Sequence, residues 1–309
     1  MNNFYSQDSS RRWTLERIND AAKVEPEYLI NSVESHFHIK IGKIIDYILN
    51  KKENCKLILI SGPSSSGKTT FSNMIIEKLK ENGVWSDIFS FDNFYRGFDH
   101  VPELEDGSKD FEAIDGLDTV EIKKSLTDLI EHGECTIPTY DFAVMAPKKE
   151  RLFLKVPKRG IIIAEGLHAI NPILTEGINS ENVVRIYVDL KVGIRSDDSI
   201  FFPTKFVLLT RRVLRDYIHR GTDAERTILM WKNIIRGEKL YIRPIRQYAD
   251  IKVNTLHPYE PCVMAKETLK LMQDLPREMD VKKFVEKLSK FEHIDKKLVP
   301  KNSLIQEFI

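Results

Sequence analysis

Lys68 and Thr69 close the run Gly62-Pro63-Ser64-Ser65-Ser66-Gly67-Lys68-Thr69, which has the spacing G-x-x-x-x-G-K-(S/T). These residue types suit the holding of a polyphosphate. Gly62 and Gly67 permit backbone angles that other residues resist, so successive amides can wrap an anion. Lys68 supplies a point charge for the β- and γ-phosphates, and the Thr69 hydroxyl can ligand Mg²⁺. Pro63, Ser64, Ser65 and Ser66 fill the loop, and Thr70 continues into the next element. Such a pattern arises by chance in on the order of 1% of chains of this length. The spacing points to a bound nucleoside triphosphate.

Two carboxylates and an arginine cluster extend the candidate chemistry. Asp92 follows the short run SDIFSF, and Glu165 ends the run GIIIAEG. Carboxylates at the carboxyl ends of strands lie where open α/β sheets place ligand chemistry. An isolated aspartate such as Asp92 also caps turns, so its position alone does not assign it. In a P-loop enzyme, Glu165 stands where a carboxylate holds Mg²⁺ or its water. Arg211, Arg212, Arg215 and Arg220 gather on one predicted helix and its end. Such a cluster can close over phosphates or form a solvated charged face.

The elements that must position these groups follow from periodicity. Leu57 to Ile60 is a continuous apolar run, a strand buried on both faces. Phe71, Met74, Ile75 and Leu79 recur at helical spacing, so a helix opens directly behind the loop. An earlier helix is predicted from about Asn31 to Asn50. Ser86 to Phe91, Gly160 to Gly166, Val183 to Val188 and Tyr248 to Val253 read as further strands. Helices are predicted over Asp118–Glu131, from Thr204, and over Asp223–Lys239, Pro258–Leu275 and Asp280–Phe291. Residues 96–117 and 191–203 read as loops, and the last fifteen residues as a tail. Residues 134–157 read as a hairpin with its tip at Ala143–Glu150. The expected fold is α/β: a doubly wound parallel sheet of the P-loop NTPase type with helices on both faces and an appended β-hairpin. The expected division is an N-terminal helical extension over 1–50, a P-loop domain over 51–275 and a C-terminal helix and tail over 276–309.

Composition sets limits. The 309 residues can bury a full core. Lys+Arg 47 against Asp+Glu 46 leaves a net charge of +1, so no global field draws in nucleic acid or anionic membrane. No apolar run approaches the ~18 residues of a membrane span, and MNNFYSQDSSRRW lacks the apolar core of a signal peptide. The cysteines (Cys55, Cys135 and Cys262) have neither metal-ligand nor disulfide spacing. A cytoplasmic protein is expected.

Six segments in order, GPSSSGKTT, SFDNFY, IPTYDF, IIIAEGLHAINP, TRRVLRDYIHRGTD and QYADIKVN, resemble the uridine kinase and phosphoribulokinase family of P-loop kinases. EGLHAINP and MWKNIIRGEK look most like its bacterial nucleoside kinase group. The resemblance implies ATP and Mg²⁺ as cofactors, a small nucleoside as substrate and a homo-oligomer. It implies catalytic roles for Asp92, Lys68 and Arg212, with Asp92 accepting the proton of a ribose 5′-hydroxyl. It puts residues 62–70, Arg211 and Arg215 on ATP, with Thr69 and Glu165 on the metal. Tyr95, Glu112, Tyr140, Phe142 and Arg220 join Asp92 on the acceptor side.

Three departures from the family pattern bear on the acceptor. Glu112 stands where the family has an aspartate on the ribose hydroxyls, Met145 where a histidine reads the pyrimidine edge, and Phe206-Val207-Leu208 where D-x-R precedes the double arginine. Losing a charged partner of a bound anion can cost several kcal/mol. A nucleoside kinase for uridine or cytidine is therefore expected first. A kinase for another small hydroxyl compound, such as a sugar phosphate or pantothenate-like alcohol, is the second reading, and a catalytically weakened nucleotide-binding protein the third.

Overall fold

The computed structural model describes residues 13–51, 54–142, 144–273, 275 and 281–309. Five parallel strands make the central sheet: β1 (Leu57–Ser61), β2 (Ser86–Ser90), β5 (Ile161–Glu165), β6 (Val183–Asp189) and β9 (Ile251–Asn254). Their spatial order is β2-β5-β1-β6-β9, with all four pairings parallel. The chain leaves β1 with neighbours still to be added on both sides, so the sheet reverses its winding there. The crevice at that switch point lies at the carboxyl ends of the strands.

Alternate side chains feed two cores, as a strand's period of two requires. Ile58 and Ile60 of β1 join Ile161, Ile163, Val184, Ile186 and Val188 on one face. Leu57 and Leu59 join Ile162, Ala164, Val183 and Tyr187 on the other. The first face is covered by α1 (Leu15–Val24), α2 (Pro26–Lys51), α3 (Lys68–Glu81), α5 (Thr204–Arg220), α7 (Glu260–Met272) and α8 (Lys282–Leu288). The second is covered by α4 (Thr119–Glu131), capped by the Asp118 carboxylate accepting from the Glu121 amide.

A two-stranded antiparallel hairpin, β3 (Glu134–Asp141) with β4 (Ala146–Lys155), stands apart from the main sheet. Its turn is tighter than expected: Ala146 to Glu150 belong to β4 rather than to a loop. Residues 191–203 likewise contain a small hairpin, β7 (Ile194–Ser196) with β8 (Ser199–Phe202). Phe202 is fully buried, which anchors that segment. α6 (Ala224–Gly237) ends in a π-helical turn over Glu238–Ile242. Residues 295–309 are packed, in contrast to the tail expected of them. Ser303 caps a short 3₁₀ helix over Leu304–Phe308, whose Leu304, Ile305 and Phe308 are fully buried. Three apolar side chains in five residues are too few for a periodic signal, yet enough to fasten one turn.

Candidate active site

The loop after β1 wraps as its glycines require, though for two different physical reasons. Gly67 has φ +86°, in the left-handed region that glycine occupies without strain. Gly62 is needed for space: a Cβ there would lie 2.0 Å from the Val188 carbonyl oxygen. Lys68 opens α3 and donates to the carbonyls of Gly62 and Pro63, each at 3.0 Å. The buried Ser65 and Ser66 hydroxyls have no partner. Thr69 follows on the first turn and is exposed. Unpartnered hydroxyls, a helix N-terminus and an ammonium held only by carbonyls together fit a polyphosphate.

Three ionisable groups meet beyond this loop. Asp92 sits in the 3₁₀ turn Phe91–Phe94 directly after β2, its amide donating to the Ser90 hydroxyl at 3.2 Å. Glu165 ends β5, beside Ile60 of β1 and Ser90 of β2. Removal from water pushes Glu165 up to about 7, and the neighbouring Asp92 adds to that. Asp92 is also raised by loss of water, opposed by Lys68, Arg220 and Arg215. Lys68 is lowered by the same desolvation, opposed by Glu165 and Asp92. Mutual dependence of this kind is common where chemistry is done. The Glu165 carboxylate and the Thr69 hydroxyl are hard oxygen donors, the set Mg²⁺ takes alongside phosphates. Among the described residues no cluster of three or more His, Cys, Asp or Glu could hold a metal alone. Mg²⁺ bound through substrate phosphates needs no such cage.

The four arginines divide. Arg212 donates to the Ser64 hydroxyl at 2.7 Å, which brings α5 onto the P-loop. Arg212, Arg215 and Arg220 all converge on Asp216, at 3.2, 2.7 and 3.7 Å. Asp216 thus gathers three guanidinium groups, of which Arg215 and Arg220 act on Asp92. Arg211, expected on ATP, is instead fully buried and bidentate to Glu260, both bonds at 2.6 Å. It also donates to the carbonyls of Ser65 and Thr255. Its guanidinium is committed to bracing the loop, and that corrects the expectation. Residue spacing separated Arg211 from Arg212, but nothing in it revealed Glu260, 49 residues away. Phe206, Val207 and Leu208 turn into the core, with Phe206 edge-on to Phe202 and Phe284. The missing D-x-R is thus replaced by a hydrophobic contact that docks the first turn of α5.

The residues expected on the acceptor side come together from three elements. Tyr95 packs on Phe111 and on Tyr140, and Tyr140 packs on Phe142 at 5.0 Å. The Tyr95 hydroxyl is taken by the Phe111 carbonyl at 2.7 Å, whereas the buried Tyr140 hydroxyl has no partner. Phe142 is exposed. Glu112 is buried with Oε2 unpartnered, and loss of water pushes it up to about 7 against Arg212 and Lys68.

Two further residues, which spacing did not single out, hold Glu112 in place. His168 bonds the Glu112 carbonyl through Nε2 at 2.8 Å. A carbonyl only accepts, so Nε2 carries the proton, and burial keeps the ring neutral by lowering it to about 4. Asp110, two residues before Glu112, accepts from Arg236 and the Tyr241 hydroxyl at 2.9 and 3.0 Å. Gly237 explains itself here, since a Cβ would lie 2.2 Å from that of Glu112.

A parallel sheet with a P-loop at its switch point, two carboxylates at the neighbouring strand ends and an arginine fan define a P-loop kinase, an ATP-dependent phosphotransferase. Residues 57–259 match the Phosphoribulokinase / Uridine kinase family, and the chain belongs to that family. It is 27% identical over 205 residues to the uridine kinase of Ligilactobacillus salivarius, covering 66% of this chain and 87% of that one. Among solved structures, D-glycerate 3-kinase from Cryptococcus neoformans var. grubii is similar at 12% identity and TM-score 0.47, covering 65% of this chain and 87% of that one. The phosphoribulokinase from Rhodobacter spheroides is similar at 16% identity and TM-score 0.41, covering 67% and 74%. Among the described residues no helix is long and apolar enough to cross a membrane.

Proposed function

We propose that this kinase transfers the γ-phosphate of ATP to the 5′-hydroxyl of a pyrimidine nucleoside, uridine or cytidine. The observation that carries this reading is the aromatic wall of Tyr95, Tyr140 and Phe142 beside a buried Glu112 with a free oxygen. A flat base suits such a wall, and a ribose hydroxyl suits the carboxyl. Asp92 would orient the 5′-hydroxyl and take its proton late, since a loose transition state asks mainly for positioning and charge neutralisation. Lys68 and the fan of Arg212, Arg215 and Arg220 would neutralise the transferred group, and Asp216 would keep that fan together. Thr69 would hold Mg²⁺, with Glu165 ordering its water, and the ion would supply further neutralisation of phosphate charge. Cys55, Cys135 and Cys262 are buried and far apart along the chain, which fits work in a reducing cytosol.

A second acceptor is favoured by one specific feature. Glu112 is one methylene longer than the family aspartate and is wedged against Gly237, which alters the clamp on a sugar diol. The two readings separate in ADP release with Mg-ATP across a panel of nucleosides, sugar phosphates and small alcohols. Turnover led by uridine or cytidine is expected. Turnover confined to a non-nucleoside alcohol would replace the nucleoside reading.

A further inference from the structure

The C-terminal segment lies on the nucleotide-binding loop. Leu304 presses on Gly67, whose Cβ, were there one, would lie 2.7 Å from the leucine Cδ2. Thr70, two residues after Lys68, donates its hydroxyl to the Glu307 carboxylate at 2.8 Å. The Phe308 ring lies against the Arg211 guanidinium, 5.1 Å from its centroid. His219, near the end of α5, bonds the Glu307 carbonyl at 3.2 Å. One five-residue turn therefore touches the P-loop, its helix and the arginine helix at once.

The character of these contacts matters more than their number. The first turn of α3 favours an anion by its helix N-terminus and dipole, and the Glu307 carboxylate reaches that turn through the Thr70 hydroxyl. That carboxylate lies in the field of Glu165, which it pushes up, and of Arg220. One residue further on, the Phe308 ring is fully buried against the Arg211 guanidinium and anchors the turn beside the loop.

We propose that residues 303–309 form an autoinhibitory strap, anchored by Phe308, with the Glu307 carboxylate occupying the nucleotide side of the P-loop helix in competition with ATP. The proposal rests on the kinase reading of that loop and is independent of the acceptor. ATP then binds the strap-open form, and its apparent affinity is reduced by the fraction of molecules that are open. Ser303, whose hydroxyl donates to the buried Glu34 on α2 at 2.6 Å, is the hinge at which the strap is tethered.

The test uses the full chain and Mg-ATP in a direct binding measurement, with hydrogen exchange read over residues 304–308. Glu307→Gln keeps the shape while removing the charge, and Phe308→Ala removes the ring. Both are expected to bind Mg-ATP at least about threefold more tightly, the gain from releasing a strap closed about two-thirds of the time. In the unaltered chain, Mg-ATP is expected to speed exchange in 304–308. Weaker binding in both variants, with ATP slowing exchange there, would make the segment a wall of the site and overturn the proposal. Unchanged affinity with unchanged exchange would overturn it too. Failure of every form to bind ATP while folded would sink the nucleotide reading itself, which is a different result from binding that ignores the strap.

Discussion

Glu112 keeps its proton to about pH 7 in the folded chain, against an ordinary value of 4.5, because burial disfavours the charged form. Its contribution to stability is complete below pH 4.5 and is lost as the pH rises through 7, a loss on the order of 3 kcal/mol. An amide mimics the protonated carboxyl. Glu112→Gln is therefore expected to gain stability relative to the unaltered chain between pH 4.5 and 7, with a flat difference above. Urea unfolding across that range checks it, and a difference independent of pH would show that Glu112 is not held protonated. At this scale the sequence was most informative about the loop. Gly67 and Lys68 are legible because the loop's chemistry is local, whereas the position of Asp92 alone does not assign it. Arg211 was misread because its partner Glu260 is set by tertiary packing, which residue spacing does not encode. His168 was passed over because a histidine in an apolar run carries no signal until the Glu112 carbonyl is found against it.

The arginines of α5 are held by two acidic residues. Asp216, on the helix itself, gathers Arg212, Arg215 and Arg220. Glu260, opening α7, takes Arg211 and through it braces the Ser65 carbonyl. Both Arg211 and Glu260 side chains are almost wholly buried, at 0% and 1% exposure. Breaking a buried pair from one side strands a charge and typically costs about 3–5 kcal/mol. Glu260→Ala is expected to destabilise the fold by an amount of that order in thermal or urea unfolding. A loss within a few tenths of a kcal/mol would mean that the pair braces nothing. Among the elements, the central strands were readable as short apolar runs between turn residues. The small hairpin of β7 and β8 was not, because three- and four-residue strands are shorter than the alternation needed to recognise them.

Across the whole molecule, α2 and the C-terminal segment meet on the machinery they flank. Ile41, Ile44, Ile45 and Ile48 of α2 share one core with Phe71 and Ile75 of the P-loop helix. The Glu34 carboxylate on α2 accepts hydrogen bonds from Tyr259 and from Ser303. Tyr259 immediately precedes Glu260, so one buried cluster ties the first long helix, the loop-bracing pair and the C-terminal strap. None of this was visible in order along the chain, because it joins residues more than 200 positions apart. The parallel sheet with helices on both faces, by contrast, was expected from the apolar runs and the family segments.

The proposed role of Asp92 is to act on an acceptor hydroxyl rather than in nucleotide binding. The most direct measurement pairs steady-state turnover of uridine with the affinity for Mg-ATP, in the unaltered chain and in Asp92→Asn. Turnover is expected to fall by about 10²–10⁴-fold, the usual worth of a positioned base, with ATP affinity unchanged within about twofold. Retained turnover, or a loss of ATP affinity equal to the loss of rate, would contradict it.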